Sequence, residues 1–574
     1  MQNCLDSYQK HTDEVISLQA LLLDINEENY SSTVSTIKSS KLYLDKDSMK
    51  ILLQTLGLFV KIRKIKMPLY FRLIDDIISK IFENFNKIEM MTFFKQKEIH
   101  LKLLKDKLIT IEDVASFYGH GDQKLSYFYP EMKALFAEYP SYPGEMSDKQ
   151  RYDAIIEFFS QKEAEAVSID EDPRLQIGNI DKLSKSIQKD DIDEFQRITS
   201  QSNINIQTHK IPINCFESKK YLGSEIYLIE YASFHSSLKV FKFLSMNDTC
   251  FSEKFLEFAI CGGNNEIVHL VEDKVKQENR YQNTNYLLQR AIHFHHYDLS
   301  EYLINTFEIE VIAEHFSSSI VSLNYSFFSD HISDYVQKFY DKKNSENIDK
   351  FSESLLMAAG CFDIYFLKVI SCFNEIGLNT SNEYLVTDEL LTNPLTFSIQ
   401  SLYCNENAKF LLSFDSVDVD IKLMYNMTPF TWACYVGNLE IVKILVNDYY
   451  LNQKNPKKKI NILLSIVESG ENALHLAVRE NHLDVVKYLI SLDVFDISLK
   501  HGKGESPIET AARLGYSDMF DFLKSKLIDK RIPFDDNLHL EKQKFLPTKH
   551  RKPLPMGYSL FDNLKEPISL CLLI

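Results

Sequence analysis

Three histidines close together are the residues of this sequence that most invite a metal or acid–base role. His293, His295 and His296 are followed by Asp298. Imidazole and carboxylate groups are common zinc ligands in proteins. These residues fall in a predicted turn between two helices, with His295 at the position that ends the first. We therefore interpret them as a solvated turn and predict no metal site.

The segment 502–506, Gly-Lys-Gly-Glu-Ser, contains the residue types of a phosphate-binding loop. It lacks the four-residue spacer and the Gly-Lys-Ser order that such a loop needs. The sequence also contains no Gly-x-Ser-x-Gly, no His-Glu-x-x-His and no kinase motif set. It predicts a turn here, and a protein that is not an enzyme and has no cofactor.

Residues 571–574, Cys-Leu-Leu-Ile, have the form that prenyltransferases modify at cysteine. The final Ile574 stands where leucine or phenylalanine would indicate geranylgeranylation. The basic cluster 549–552 lies about twenty residues upstream. Prenylation of Cys571 and an unmodified apolar end are both open, and only the first would bring a membrane contact.

Composition excludes several classes of protein. The net charge is −17, from 81 acidic and 64 basic residues, whereas general phosphate-backbone binders usually show a basic field. We therefore expect no nucleic-acid partner. The nine cysteines form no Cys-x-x-Cys pair, which favours a reducing compartment. No signal peptide or run of eighteen apolar residues is present, so we expect a cytoplasmic protein without a transmembrane helix.

An internal repeat dominates the last third of the chain. Residues 428–445, 472–489 and 506–523 align without a gap. Each segment begins with a residue whose short side chain can cap a helix, namely Thr428, Asn472 and Ser506. A glycine or asparagine then ends the first helix, namely Gly437, Asn481 and Gly515. Each unit therefore predicts a turn, a helix, a second turn and a second helix.

These segments resemble ankyrin repeats. The Thr-Pro-Leu-His-x-Ala signature of that family is matched by residues 428–433 and 472–477. Thr431 and Glu509 replace the signature histidine, and Asn472-Ala473 replaces Thr-Pro. The resemblance implies an all-α, ankyrin-type solenoid of helical hairpins.

The repeat can be followed upstream by its small helical residue. This residue falls at Ala232, Ala259, Ala291, Ala358 and Ser398 before it reaches Ala433, Ala477 and Ala511. Most gaps are near the ankyrin period of about 33 residues. The gap of 67 predicts a degenerate unit near 327–339, and the gap of 44 predicts an insert around 452–457. Upstream of residue 340, a generic array of helical hairpins is the alternative.

The order of parts resembles a large family of ankyrin-rich proteins from single-celled eukaryotes, which carry a domain of unknown function ahead of the repeats. The resemblance rests on residues 127–131, Tyr-Phe-Tyr-Pro-Glu, and on 228–235. We predict five segments: a helical amino-terminal module at 1–142, a polar acidic linker at 143–178, degenerate repeats at 179–390, ankyrin repeats at 391–530 and a tail at 531–574.

The ankyrin resemblance places partner-contacting residues just before each helix cap and just before the residue that ends the first helix. The candidates are Met424, Tyr425, Met427, Tyr435, Val436, Glu468, Ser469, Glu471, Arg479, Glu480, Lys503, Glu505, Arg513 and Leu514. Tyr425 and Tyr435 are the candidate anchors, because aromatic residues are enriched at interface centres. Trp432 is assigned to packing.

The function expected from this architecture is that of a scaffold that binds a protein partner on its concave surface. A prenylated, membrane-tethered regulator is one alternative. A ubiquitin-ligase adaptor is another, suggested by Pro553-Leu554-Pro555 after the repeats.

Overall fold

The computed structural model describes residues 2–118, 127–128, 130–132, 172–175, 181–213, 219–277, 283–342, 352, 354–361, 363–372, 377–379, 393–400, 405–451, 466–502, 504–535 and 538. The chain forms two compact units. The first contains Gln9–Leu108 and Gln150–Asn344, and the second contains Met1–Tyr8, Ile109–Lys149 and Ser345–Ile574. This division differs from the predicted segments, since residues 9–108 share a unit with the first degenerate repeats.

Among the described residues, eight helices precede the repeats. They are α1 (Gln2–Asp24), α2 (Tyr30–Ser39), α3 (Lys41–Leu44), α4 (Lys46–Ile62), α5 (Met67–Asn84), α6 (Lys87–Phe94), α7 (Lys97–Lys105) and, in the second unit, α8 (Ile111–Tyr118). Asp45 caps α4 by accepting a hydrogen bond from the Ser48 amide, and Asn86 and Glu89 form a capping box on α6. Helices α4 and α6 pack against each other at Gly57, where a Cβ atom would lie 2.1 Å from the Phe94 carbonyl oxygen.

Successive helical hairpins make up most of the other described residues of the first unit. Their helices are α9 (Lys182–Gln188), α10 (Ile192–Gln201), α11 (Lys219–Leu222), α12 (Leu228–Phe234), α13 (Leu238–Ser245), α14 (Phe255–Gly262), α15 (Asn265–Gln277), α16 (Thr284–His293), α17 (Tyr297–Thr306), α18 (Ala313–Val321) and α19 (Tyr325–Lys342). A short antiparallel pair, β1 (Lys210–Pro212) and β2 (Glu225–Tyr227), precedes α12. The first helices α12, α14, α16 and α18 stack side by side. Helices α18 and α19 occupy the region in which a degenerate unit is predicted.

The second unit continues the pattern. Its further helices are α20 (Ile364–Ser371), α21 (Pro394–Gln400), α22 (Asn405–Leu412), α23 (Pro429–Val436), α24 (Leu439–Ile444), α25 (Ala473–Arg479), α26 (Leu483–Ser491), α27 (Pro507–Leu514) and α28 (Ser517–Asp529). A π-helical turn over Leu445–Leu451 extends α24 up to the insert. Helices α21, α23, α25 and α27, the inner helices, stack in sequence. The predicted all-α solenoid of helical hairpins is confirmed.

The predicted caps Thr428 and Asn472 and the predicted carboxyl ends of the inner helices are confirmed, whereas the Ser506 hydroxyl donates to Glu509 Oε2 at 2.8 Å and accepts from no helix amide. Thr428 accepts a hydrogen bond from the Thr431 amide, and Asn472 accepts from the amides of Leu474 and His475. Gly437, Asn481 and Gly515 adopt φ values of +78°, +62° and +73°. This left-handed conformation ends a helix and is least costly for glycine and asparagine. Within the described part of the chain, no helix is long and apolar enough to cross a membrane.

Candidate protein-interaction surface

Three tight turns, each preceding an inner helix, form the edge of the last repeats. We name them the first finger (413–427), the second finger (466–471) and the third finger (499–505). The amide of Leu423 donates to the Met427 carbonyl at 2.9 Å, and Val467 donates to Glu471 at 3.0 Å. The amide of His501 donates to the Glu505 carbonyl at 2.9 Å. The same hydrogen-bonded turn therefore recurs in each repeat.

Neighbouring fingers are hydrogen-bonded to each other. The Glu468 amide donates to the Tyr425 carbonyl at 3.0 Å, and Asn426 Nδ2 donates to the Ile466 carbonyl at 2.8 Å. The second and third fingers meet at glycines, because a Cβ atom on Gly470 would lie 2.7 Å from the Gly502 nitrogen. The three fingers consequently form one continuous surface.

The segment 502–506, considered above as a phosphate-binding loop, belongs to the third finger. Gly504 adopts φ +83°, two residues before the helix cap Ser506. Asn426 and Gly470 adopt positive φ at the same position of the first two fingers. The predicted turn between repeats is confirmed.

Two positions of the same repeat contact each other: the residue just before the helix cap and the residue seven positions after the cap. This contact recurs from one repeat to the next. In the third finger, Arg513 Nε donates to Glu505 Oε1 at 2.7 Å. One repeat earlier, Arg479 donates to Glu471 and, at 3.0 Å, to Glu480. These charged members of the predicted contact set therefore pair with each other.

In the preceding repeat, the two positions equivalent to Glu471 and Arg479 hold apolar or aromatic side chains. Met427 and Tyr435 occupy the two positions and are buried. The guanidinium of Arg479 lies over the Tyr435 ring, 5.5 Å from its centre, and forms a cation–π contact with it. A residue of the following repeat therefore covers the predicted anchor Tyr435.

Exposure separates the predicted contact residues into three groups. Tyr425, Glu468 and Arg513 are exposed, with 48% of Tyr425 accessible. The half-buried members are Ser469, Arg479, Glu505 and Leu514. The buried members are Met427, Tyr435, Val436, Glu471 and Glu480. The Met424 side chain and Lys503 lie outside the described residues.

Burial corrects the expectation for Val436. Its side chain has 0% exposure, so it packs inside the array and offers no surface to a partner. Tyr435, with 5% exposure, supports the surface from beneath. Tyr425 is the anchor candidate whose ring remains accessible, because it lies in a finger rather than at the end of an inner helix.

Ile466 belongs to this surface and was missed by the sequence interpretation. Its side chain is 42% exposed, and its carbonyl accepts a hydrogen bond from Asn426 beside Tyr425. It is the first described residue after the insert that interrupts the repeat, so the repeat frame left it unassigned. An isoleucine six residues before a helix cap is the signal that could have found it.

Trp432 lies on the inner helix next to the buried tyrosine. The two ring centres are 5.6 Å apart, and the tryptophan is half-buried. Its Nε1 atom is buried and has no hydrogen-bond partner in the described part of the chain. The residue packs as expected, and it is the single tryptophan of the sequence.

The histidine group of the first unit lies in the predicted turn, and His295 has the left-handed φ of +55°, but the prediction that this turn is solvated was wrong. His295 Nε2 donates to the Ser322 carbonyl at 2.7 Å, and His296 Nε2 donates to the Cys261 carbonyl at 3.0 Å. Burial lowers the pKa of His295 to about 4. Burial, followed by the nearby Arg63, lowers the pKa of His296 to about 3. Both rings are therefore neutral at pH 7.

The histidines also diverge towards different partners. His293 Nε2 and the Tyr221 hydroxyl are hydrogen-bonded at 2.8 Å, whereas Arg63 Nη2 donates to His296 Nδ1 at 3.3 Å. Across the described ranges, no group of three or more His, Cys, Asp or Glu residues is placed to hold a metal ion. Cys571 and the basic cluster 549–552 lie outside the described residues.

Comparison with known proteins agrees with this geometry. Residues 449–533 match a model of three ankyrin repeats, and 425–456 match a single ankyrin repeat. Residues 246–331 match a domain of unknown function, DUF3447. The chain is 32% identical over 165 residues to a probable 26S proteasome regulatory subunit p28 of Saccharomyces cerevisiae. That match covers 28% of this chain and 66% of the yeast subunit, which is just under two thirds of its length.

The matched ranges lie where the structure has its helical hairpins, with the DUF3447 match over α14 to α18 and the ankyrin matches over the three fingers and their helices. The chain therefore carries ankyrin repeats over residues 425–533 and a DUF3447 domain ahead of them, at 246–331.

Proposed function

We propose that this chain is a non-catalytic, cytoplasmic scaffold that binds a protein partner on the surface of its three fingers and inner helices. The observation that carries the proposal is the exposed pair Tyr425 and Ile466. Large apolar side chains of this array are otherwise mostly buried. An exposed aromatic and an exposed aliphatic side chain on a fixed backbone are typical of the centre of a protein interface.

The rigidity of the fingers supports the same function. The Tyr425 carbonyl and the side chain of the adjacent Asn426 are both hydrogen-bonded to the second finger. A surface that is already ordered loses little conformational entropy on binding, so more of its contact energy appears as affinity. The exposed Arg513 with its partner Glu505, and the half-buried Arg479, then add polar groups beside the apolar centre.

The experiment compares partner capture by tagged full-length protein and by its Tyr425→Ala variant, with quantitative mass spectrometry of the captured proteins. Loss of a central tyrosine at an interface typically costs about 2 kcal/mol, or roughly thirty-fold in affinity. Ile528→Ala is the matched control, because Ile528 is 59% exposed on α28 and outside the fingers. Equal capture by all three proteins would show that the fingers are not the interface.

The similarity to p28 favours a second, more specific candidate. The partner of this chain would then be a component of the 26S proteasome, which the yeast relative's description names. The experiment is sedimentation of the tagged chain with purified 26S proteasomes. The expected result is co-sedimentation that Tyr425→Ala reduces, and migration of the chain only at its own size would exclude this candidate.

A prenylated, membrane-tethered form is a separate proposal that rests on Cys571. Mass spectrometry of the protein isolated from its own cells measures it directly. A farnesyl or geranylgeranyl mass on Cys571, with loss of residues 572–574, is the expected result. An unmodified chain that retains these residues would exclude the proposal and leave the scaffold function untouched.

A further inference from the structure

The first two fingers carry an excess of negative charge. They contain five carboxylates, at Asp415, Asp418, Asp420, Glu468 and Glu471, and one cation, Lys422. Glu471 is paired with Arg479. In the described part of the chain, Asp418, Asp420 and Glu468 form no ion pair. Asp418 and Glu468 therefore have no cationic partner among the described residues, whereas Lys422 attracts Asp420 without forming an ion pair with it.

The backbone of these acidic residues is held in place. The Asp418 amide donates to Asn379 Oδ1 at 2.6 Å, and Asn379 Nδ2 donates to the Ser416 carbonyl at 2.6 Å. The Asp420 amide donates to Asp418 Oδ1 at 2.9 Å. Burial, followed by repulsion from Asp418, raises the pKa of Asp420. The two aspartates are thus kept close together despite their like charge.

Acidic residues occur in the same two fingers as the exposed apolar pair. Asp418 contacts the segment 377–379 on one side of the first finger, whereas Tyr425 contacts Glu468 of the second finger on the other side. Ile466 and Glu468 belong to one finger, two residues apart. Each of the two fingers that carry the apolar pair therefore also carries a carboxylate that forms no ion pair among the described residues.

We infer that this finger surface recognises a protein segment in which lysine or arginine residues flank an apolar side chain. The inference rests on the proposed scaffold function and names its partner by chemistry. The apolar side chain packs between Tyr425 and Ile466, and the flanking cations face Asp418, Asp420 and Glu468. Exposed ion pairs add little affinity each, but complementary charge raises the association rate and rejects partners of the wrong sign.

The same charges argue against the alternative occupants. Nucleic acids and anionic lipid surfaces are negatively charged, so these carboxylates would repel them. An acidic protein segment would meet the same repulsion, because like charges brought together at an interface weaken binding.

The test uses the full-length protein and synthetic fifteen-residue peptides as probes. Four labelled peptides combine a central Leu-Phe pair or Ser-Ser pair with flanking lysines or flanking glutamates. Fluorescence anisotropy of the peptide reports binding, and the emission of Trp432 reports whether the peptide binds near the fingers. We expect the lysine–apolar peptide to bind at least about ten-fold more tightly than the other three, and to weaken as salt is raised.

Variants then separate the two contributions. Asp418→Asn with Asp420→Asn and Glu468→Gln should lower affinity for the lysine–apolar peptide about ten-fold and remove most of its salt dependence. Tyr425→Ala should lower affinity by a similar factor and leave the salt dependence in place. The matched control is Asp273→Asn with Asp334→Asn and Asp521→Asn, which neutralises three exposed carboxylates outside the fingers.

Several outcomes would overturn the inference. They are equal binding of the glutamate–apolar peptide, absence of binding by all four peptides, and an unchanged affinity in the triple finger variant. If Tyr425→Ala still abolished capture of the natural partner in any of these cases, the proposed scaffold function would stand and the inference about partner charge would fail. If neither capture nor peptide binding depended on Tyr425, both would fail.

Discussion

The guanidinium of Arg479 lies 5.5 Å from the centre of the Tyr435 ring, so a residue of one repeat covers an aromatic residue of the repeat before it. Arg479 also bridges the carboxylates of Glu471 and Glu480. One side chain therefore joins two repeats and balances part of the acidic charge beside the fingers. The mixed aromatic and charged character of the surface arises from this contact between repeats.

The first prediction concerns the stability of that contact. Arg479→Ala removes the cover of Tyr435 and leaves two buried carboxylates without their partner, which typically costs about 2 kcal/mol. Chemical denaturation followed through Trp432 emission measures the second unit, because this is the single tryptophan of the chain. Arg513→Ala is the matched control: its pair with Glu505 is more exposed, and its loss should cost less than about 1 kcal/mol. Equal losses in the two variants would contradict the prediction.

The second prediction concerns acid sensitivity of the first unit. Burial lowers the folded-state pKa of His295 to about 4 and of His315 to about 4, from an ordinary value of 6.5. A histidine with a depressed folded pKa contributes stability above its unfolded pKa, and this contribution is lost as pH falls towards the folded pKa. Between pH 6.5 and pH 5, each buried histidine should cost about 2 kcal/mol of unfolding free energy.

The measurement is the pH dependence of thermal unfolding, followed by circular dichroism. His295→Gln retains an amide that can donate to Ser322 but does not titrate, so it should flatten the slope between pH 6.5 and pH 5. His209→Gln is the control, because His209 is only half-buried and belongs to the same unit. A slope unchanged by His295→Gln would show that this ring does not take part.

The third prediction concerns the packing of α4 against α6. Gly57→Ala places a Cβ atom 2.1 Å from the Phe94 carbonyl oxygen, so the helices must separate, at a cost of about 3 kcal/mol. Gly223→Ala in the same unit meets no atom within 4 Å, and its φ of +73° should cost about 1 kcal/mol. Urea unfolding of the two variants compares these costs. A Gly57→Ala variant as stable as Gly223→Ala would show that the helices can move apart freely.

The sequence predicted the local parts of this structure well, because caps and left-handed turns depend on neighbouring residues. Asn481, for example, was predicted to adopt positive φ because it is the residue that ends its helix. The cover of Tyr435 by Arg479 could not be predicted in this way, since the two belong to different repeats and only the stacking distance brings them together. The pairing of His296 with Arg63 was missed for the same reason, since Arg63 directly follows α4 and lies more than two hundred residues earlier in the chain.

The last prediction concerns the close approach of the second and third fingers. In Gly470→Ala, the added Cβ atom would lie 2.7 Å from the Gly502 nitrogen, and the backbone already has a φ of +78°. The two fingers must then separate, which displaces the buried Glu471 and its partner Arg479 beside the interaction surface. Gly504→Ala is the matched control, because its φ of +83° imposes similar backbone strain while nothing lies within 4 Å of the new atom.

Measuring affinity for the captured partner distinguishes the effect of separating the fingers from the effect of backbone strain. We expect Gly470→Ala to raise the dissociation constant about ten-fold, equivalent to about 1.4 kcal/mol, and Gly504→Ala to change it less than about three-fold. Thermal unfolding of both variants measures the strain that they share. If the two substitutions weakened binding equally, backbone strain alone would account for the loss, and the spacing between the fingers would not be part of the recognition surface.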